Sequence, residues 1–149
     1  MKLEIIRDRV EGIPYMSFSQ AKQMTAFILE NRLQSILELG FCHGVSTCYM
    51  AGAIDEMGGG SITTIDLLRA RNLDPNIGAL LSDLGLSKLV TPLYEPTSYI
   101  WRLMKMIEAD PTPRFDMCYI DGAHNWATTG FAFFLVDKLL KPGGWMIFD

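Results

Sequence analysis

Glu38, Asp66, Asp121 and Asp149 each stand at the downstream end of an apolar run of strand character, and this recurrence constrains the fold more than any other feature. The runs are Ser35-Ile36-Leu37-Glu38, Ser61-Ile62-Thr63-Thr64-Ile65-Asp66, Asp116-Met117-Cys118-Tyr119-Ile120-Asp121 and Trp145-Met146-Ile147-Phe148-Asp149. Segments of helical periodicity separate them, so the strands are expected to lie parallel and to finish along one edge of one sheet. Ligands of open α/β sheets bind in the crevice beyond that edge. A row of acids there suits a ligand rich in hydroxyls and amines, or a metal, and not a nucleic-acid backbone.

The helices follow from spacing and caps. A first ordered element is expected from about Ser19 to Arg32, capped by Ser17 or Ser19, with Ala21, Met24, Phe27 and Ile28 on its apolar face. A glycine turn then leads to a helix over about Ser46 to Met57, stopped by Gly58-Gly59-Gly60. Pro75 to Leu84 reads as a helix that Asp74 can cap and Gly85 closes. A short strand over Leu89 to Leu93 precedes a helix over Thr97 to Glu108. The last helix spans Thr128 to Leu140 with Phe131, Phe134 and Leu135 expected inside, and Lys141-Pro142-Gly143-Gly144 turns the chain into the fifth strand. The sum is a β-α-β-α-β-α-β-α-β order behind an N-terminal helix, an α/β doubly wound parallel sheet.

Composition removes several function classes. A chain of 149 residues fits a single domain over 1–149 with a real core. A net charge of −4 offers no basic footprint, so neither nucleic acid nor an anionic membrane is an expected partner. No apolar run reaches the roughly 18 residues that span a bilayer, and Met1-Lys2-Leu3-Glu4 does not open a signal peptide. Cys42, Cys48 and Cys118 have neither zinc-site nor disulfide spacing, so a reducing cytoplasm is expected.

Glu38-Leu39-Gly40-Phe41-Cys42-His43-Gly44-Val45-Ser46 leaves a strand, turns on two glycines and enters a helix. Gly40 and Gly44 allow close backbone approach, and the helix start offers unpaired N–H groups to an anionic group. The spacing fits neither the dinucleotide fingerprint nor a P-loop, which needs a lysine where Val45 stands. Asp66, ending the second strand, can accept the hydroxyls of a ribose or cap the next helix; with the glycine turn it favours a nucleoside ligand. His43 is better suited to shaping the turn than to titrating.

Four blocks in order make a specific resemblance: Ile36-Leu37-Glu38-Leu39-Gly40 through Gly44-Val45-Ser46; Thr64-Ile65-Asp66; Phe115-Asp116-Met117-Cys118-Tyr119-Ile120-Asp121-Gly122-Ala123-His124; and Leu139-Leu140-Lys141-Pro142-Gly143-Gly144-Trp145. Together they resemble a class I S-adenosylmethionine-dependent methyltransferase, most closely the branch of small-molecule O-methyltransferases. The resemblance implies a Rossmann-like sheet of order 3-2-1-4-5 with helices on both faces, lacking the last two strands of the full fold. An exposed fifth strand would then be a route to a homo-oligomer.

By position, the resemblance implies that Glu38 and Gly40 line the methionine end of the cofactor, with Gly44 and Ser46 shaping the turn around its carboxylate and Phe41 a further cofactor contact. It places Asp66 on the ribose, Leu67 on the adenine, and Glu95, Thr97 or Ser98 at the adenine edge. Asp121 would sit beside the sulfonium, and His124 would act as general base. Magnesium, if used, would be held by Asp121 and Asp149. The expected function is methyl transfer to an oxygen of a small-molecule acceptor, with Trp126 a candidate wall of the acceptor pocket. Two other readings stay open: a hydroxylase-like enzyme with iron on two carboxylates and His124, and a non-catalytic partial domain that binds cofactor or a partner chain.

Overall fold

A computed structural model describes residues 2–149. Its helices are α1 (Lys2–Val10), α2 (Phe18–Asn31), α3 (Val45–Glu56), α4 (Ile77–Asp83), α5 (Tyr99–Ala109) and α6 (Trp126–Asp137). Its strands are β1 (Ser35–Leu39), β2 (Ser61–Leu67), β3 (Val90–Glu95), β4 (Phe115–Ile120) and β5 (Leu140–Phe148). All pairings are parallel and the order is β3-β2-β1-β4-β5, so the chain reverses direction across the sheet between β1 and β4. That reversal is the switch point at which sheets of this kind bind ligands.

Alternation along the strands divides the core into two layers. Ile36, Ile62, Met117 and Tyr119 pack with α1, α2, α3 and α4 on one face. Leu37, Leu39, Ile65, Cys118 and Ile120 pack with α5 and α6 on the other. Ile36, Leu37 and Leu39 have no exposed surface, and burying each such side chain stabilises the fold by about 1.5–3 kcal/mol. Ser17 opens α2 with a capping box: its hydroxyl accepts from the Gln20 N–H, and the Gln20 side chain accepts from the Ser17 N–H.

Several expectations need correction. The first ordered element is α1 and not the helix after Ser17; α1 is mostly charged and fixes itself through Ile6 and Val10, one turn apart. Asn76, not Asp74, caps α4, its side chain accepting from the Ala79 N–H at 3.0 Å. The last helix ends at Asp137, and Leu140 already pairs with Phe115, so β5 starts before the Lys141–Gly144 stretch and carries an irregularity there. Phe131 and Phe134 are exposed, Phe134 by 66%, while Ala132, Leu135 and Val136 face the sheet. No helix among the described residues is long and apolar enough to cross a membrane.

Candidate cofactor and active site

β1, β2 and β4 finish together because their ends are tied. The Gly40 N–H donates to the Ile65 carbonyl at 2.9 Å, and the Asp121 N–H to the Leu39 carbonyl at 2.9 Å. Residues 40–44 then turn the chain into α3 with Gly40, Cys42 and Gly44 all at positive φ. A Cβ on Gly40 would stand 2.7 Å from the Asp121 carbonyl oxygen, so glycine is required by both space and φ. Gly44 is packed against Ile77, and His43 Nδ1 lies 2.7 Å from the Pro75 carbonyl, which ties the turn to the start of α4.

Asp66 holds this turn from the next strand. Its Oδ2 accepts from the amides of Phe41 (2.8 Å) and Cys42 (2.7 Å), and its Oδ1 from that of Leu67 (2.6 Å). A carboxylate has about four acceptor positions, so three bonds leave about one for a ligand. The same residue therefore shapes the turn and faces the crevice.

The crevice is a cavity of about 620 Å³, within the usual range for small-molecule sites. Of the expected cofactor contacts, Gly40, Phe41, Ser46, Asp66 and Leu67 line it from the glycine turn and β2. Thr97 and Ser98 line it from the β3–α5 connection, and Asp121, His124 and Asp149 from the far side. Glu38, Gly44 and Glu95 do not reach its wall. Glu95 is buried in an ion pair with Arg102 of α5, and the Ser98 side chain accepts from the Ile100 N–H to cap α5. Trp126 is 93% exposed and also stays outside.

Glu38 lies behind the cavity with no exposed surface. Its Oε1 accepts from the Ser46 hydroxyl, and its Oε2 from those of Thr47 and Thr64, the last at 2.6 Å. Burial pushes its carboxyl from 4.5 up to about 7, although the three hydroxyls favour the charged form. The folded chain thus holds this proton more tightly than the unfolded one. Stability from this group is full below about pH 4.5 and is lost as pH rises toward 7, by about 3 kcal/mol in all. Urea unfolding at pH 5 and pH 8 should show Glu38→Gln losing less stability between the two than the wild type; equal losses would remove the assignment.

Asp121, His124 and Asp149 bring one ligand atom each within 4.8 Å of one another. Burial first, and then the neighbouring Asp149 carboxylate, raises Asp121 to about 6. Two acids held this close are relieved by a cation, whether a sulfonium or a metal.

Sequence reasoning missed part of the wall. Pro14, Tyr15 and Met16 enter from the α1–α2 connection, with Tyr15 at φ 94. Tyr99 lines the cavity from the start of α5; its hydroxyl accepts from the Ala123 N–H at 3.3 Å, and its ring would lie 2.3 Å from a Cβ on Gly122. Neither Tyr99 nor the Pro14–Met16 segment carries a local sequence signal for this placement.

The fold and this crevice define a doubly wound α/β domain with a cavity at its switch point. The chain belongs to the methyltransferase domain family, whose model matches residues 37–149. A comparison with curated proteins returns no match. Among solved structures it is similar to the O-methyltransferase TomG of Streptomyces achromogenes, involved in tomaymycin synthesis and solved with SAM, at TM-score 0.76 and 20% identity over 99% of this chain and 64% of that one. It is similar to the O-methyltransferase of Bacillus cereus in complex with SAH at 0.77 and 22%, over 99% and 65%. The SAH-bound methyltransferase PaMTH1 of Podospora anserina gives 0.77 and 17%, over 99% and 61%. The chain therefore spans a little less than two thirds of the length of these proteins, and at these identities the likeness is one of fold.

Proposed function

We propose that this domain binds S-adenosylmethionine and transfers its methyl group to an oxygen of a small-molecule acceptor. The observation that carries the reading is the convergence of the glycine turn, Asp66 and Asp121 on one cavity at the switch point. The residues fit the cofactor: one remaining acceptor position on Asp66 for a ribose hydroxyl, the apolar Leu67 side chain for the adenine, and an acid of raised proton affinity for a cationic sulfur. Bound S-adenosylmethionine supplies a methyl group on that cation.

Asp121 and Asp149 favour the charged cofactor over its neutral product, which assists exchange after each turnover. In the transfer the acceptor oxygen forms the C–O bond as the C–S bond breaks, and the sulfur keeps the electron pair. The cavity walls align oxygen, methyl and sulfur, an effect that supplies up to about 7–11 kcal/mol for well-oriented reactants. His124, at the mouth of the cavity, takes the acceptor proton. Its test is His124→Asn: release of S-adenosylhomocysteine with a panel of phenolic and sugar acceptors should fall at least ~100-fold at unchanged cofactor affinity. Unchanged turnover would eliminate the base.

A divalent cation is a second component, supported by the clustering of Asp121, Asp149 and His124. The two carboxylates of Asp121 and Asp149 suit magnesium, which leaves the His124 imidazole free to act as the base. Such an ion would polarise the acceptor oxygen and lower its proton affinity. Binding of Mn²⁺, followed by its spin-resonance signal, should be lost in Asp121→Asn; equal binding by both proteins would remove the site. The free state of all three thiols, two of them buried, supports a reducing compartment and so a cytoplasmic location.

A further inference from the structure

His124 lines the cavity but is exposed, so the backbone on either side, and not packing, directs its side chain. A peptide unit is planar, and a residue's Cα–Cβ direction is set once the planes flanking it are set. The plane before His124 is held at the Ala123 carbonyl, which accepts from the Thr129 hydroxyl and from the Asn125 N–H at 3.0 Å. The plane after it is held by that same Asn125 N–H, and the Asn125 side chain caps α6 by accepting from the Thr128 N–H at 2.9 Å. One residue earlier, the Ala123 N–H donates to the Tyr99 hydroxyl at 3.3 Å. Tyr99 is buried at the start of α5, and its ring fills the space that a side chain on Gly122 would need. Three consecutive peptide planes around Ala123 and His124 are thus anchored to two separate helices.

We propose that Tyr99 and Thr129 are positioning residues that grip Ala123 from opposite sides and so fix the direction of His124 at the mouth of the cavity. This role rests on the function proposed above, in which His124 takes the acceptor proton. The loop needs such a grip because Gly122, the residue type with the freest backbone, stands between β4 and His124. A base must lie within hydrogen-bond reach of its proton, about 2.6–3.2 Å, so a loosened loop loses rate and not cofactor binding. Thr129 is the cleaner half of the pair: it does not line the cavity, and its hydroxyl reaches the loop through the Ala123 carbonyl.

Two measurements on the full chain test this, with Thr129→Val, which keeps the size and removes the hydroxyl, Thr129→Ser, which keeps the hydroxyl, and Tyr99→Phe. Amide hydrogen exchange of the ligand-free protein, followed by NMR, should quicken about tenfold at Asn125 in Thr129→Val and at Ala123 in Tyr99→Phe, with the β4 amides unchanged. Release of S-adenosylhomocysteine with the panel of phenolic and sugar acceptors should fall about tenfold in kcat in both variants. Thr129→Val should keep its affinity for S-adenosylmethionine, and Thr129→Ser should restore both exchange and rate. Unchanged exchange overturns the inference, and so does faster exchange at full turnover. A loss that serine does not rescue, or that falls on cofactor affinity as much as on kcat, marks a merely structural effect and overturns it as well. Should Thr129→Val fail to fold, Tyr99→Phe decides alone through its exchange and kcat. A wild-type chain that neither binds S-adenosylmethionine nor transfers its methyl overturns the proposed function itself, while the exchange rates still decide whether Tyr99 and Thr129 hold His124.

Discussion

Asp66→Ala is expected to weaken S-adenosylmethionine binding by at least about 100-fold, the equivalent of losing one strong hydrogen bond to a charged group together with the fixed shape of the turn. The size follows from the double duty of this carboxylate. It is the acceptor for the Phe41, Cys42 and Leu67 amides, and it lines the cavity where the ribose would lie. Removing it strips the ligand contact and leaves three amides without their partner, so the glycine turn loses its fixed shape. Neither core layer includes Asp66, so the fold should persist, and circular dichroism should confirm that. Wild-type affinity in a folded Asp66→Ala chain would remove the residue from the site.

Gly40→Ala is expected to cost about 3 kcal/mol of stability, combining left-handed strain with an overlap against backbone that cannot move aside. Gly58 provides the control. Both glycines sit at φ 90, but a Cβ on Gly58 meets nothing within 4 Å, whereas one on Gly40 meets the Asp121 carbonyl and Gly122 Cα at 2.7 Å. Gly58→Ala should therefore lose only about 1 kcal/mol, the strain alone. Equal losses in urea unfolding would show that the close approach of β1 to β4 at this point does not matter.

The sheet was legible because its strands end on acids and are separated by periodic segments. Ile36, Ile62 and Met117 fall on one face and Leu37, Ile65 and Cys118 on the other, as alternation requires. Helix faces were less legible where apolar residues surround the axis. In α6, the run Phe131, Ala132, Phe133, Phe134, Leu135, Val136 offers no polar side, so periodicity cannot choose which residues the sheet covers. α1 was missed for the opposite reason: its two anchors, Ile6 and Val10, sit among charged residues.

At the site, the positions fixed by local backbone were readable, Gly40 and Asp66 above all. Glu38 and Glu95 were not, since an acid near a strand end can face the crevice or turn to a buried partner. Glu38 turns to three hydroxyls drawn from two elements, and Glu95 to Arg102 of α5; neither pairing has a signature in local sequence. Tyr99 and the Pro14–Met16 segment reach the cavity only through tertiary folding, which spacing along the chain does not encode.

The central claim is that the crevice beyond β1, β2 and β4 holds an adenosyl sulfonium. Titrating the full chain with S-adenosylmethionine, S-adenosylhomocysteine and NAD tests it most directly. One saturable site is expected for the two adenosyl amino acids, tighter for the charged form, with no heat from NAD. Binding of NAD in preference to both, or no binding of either, would contradict it.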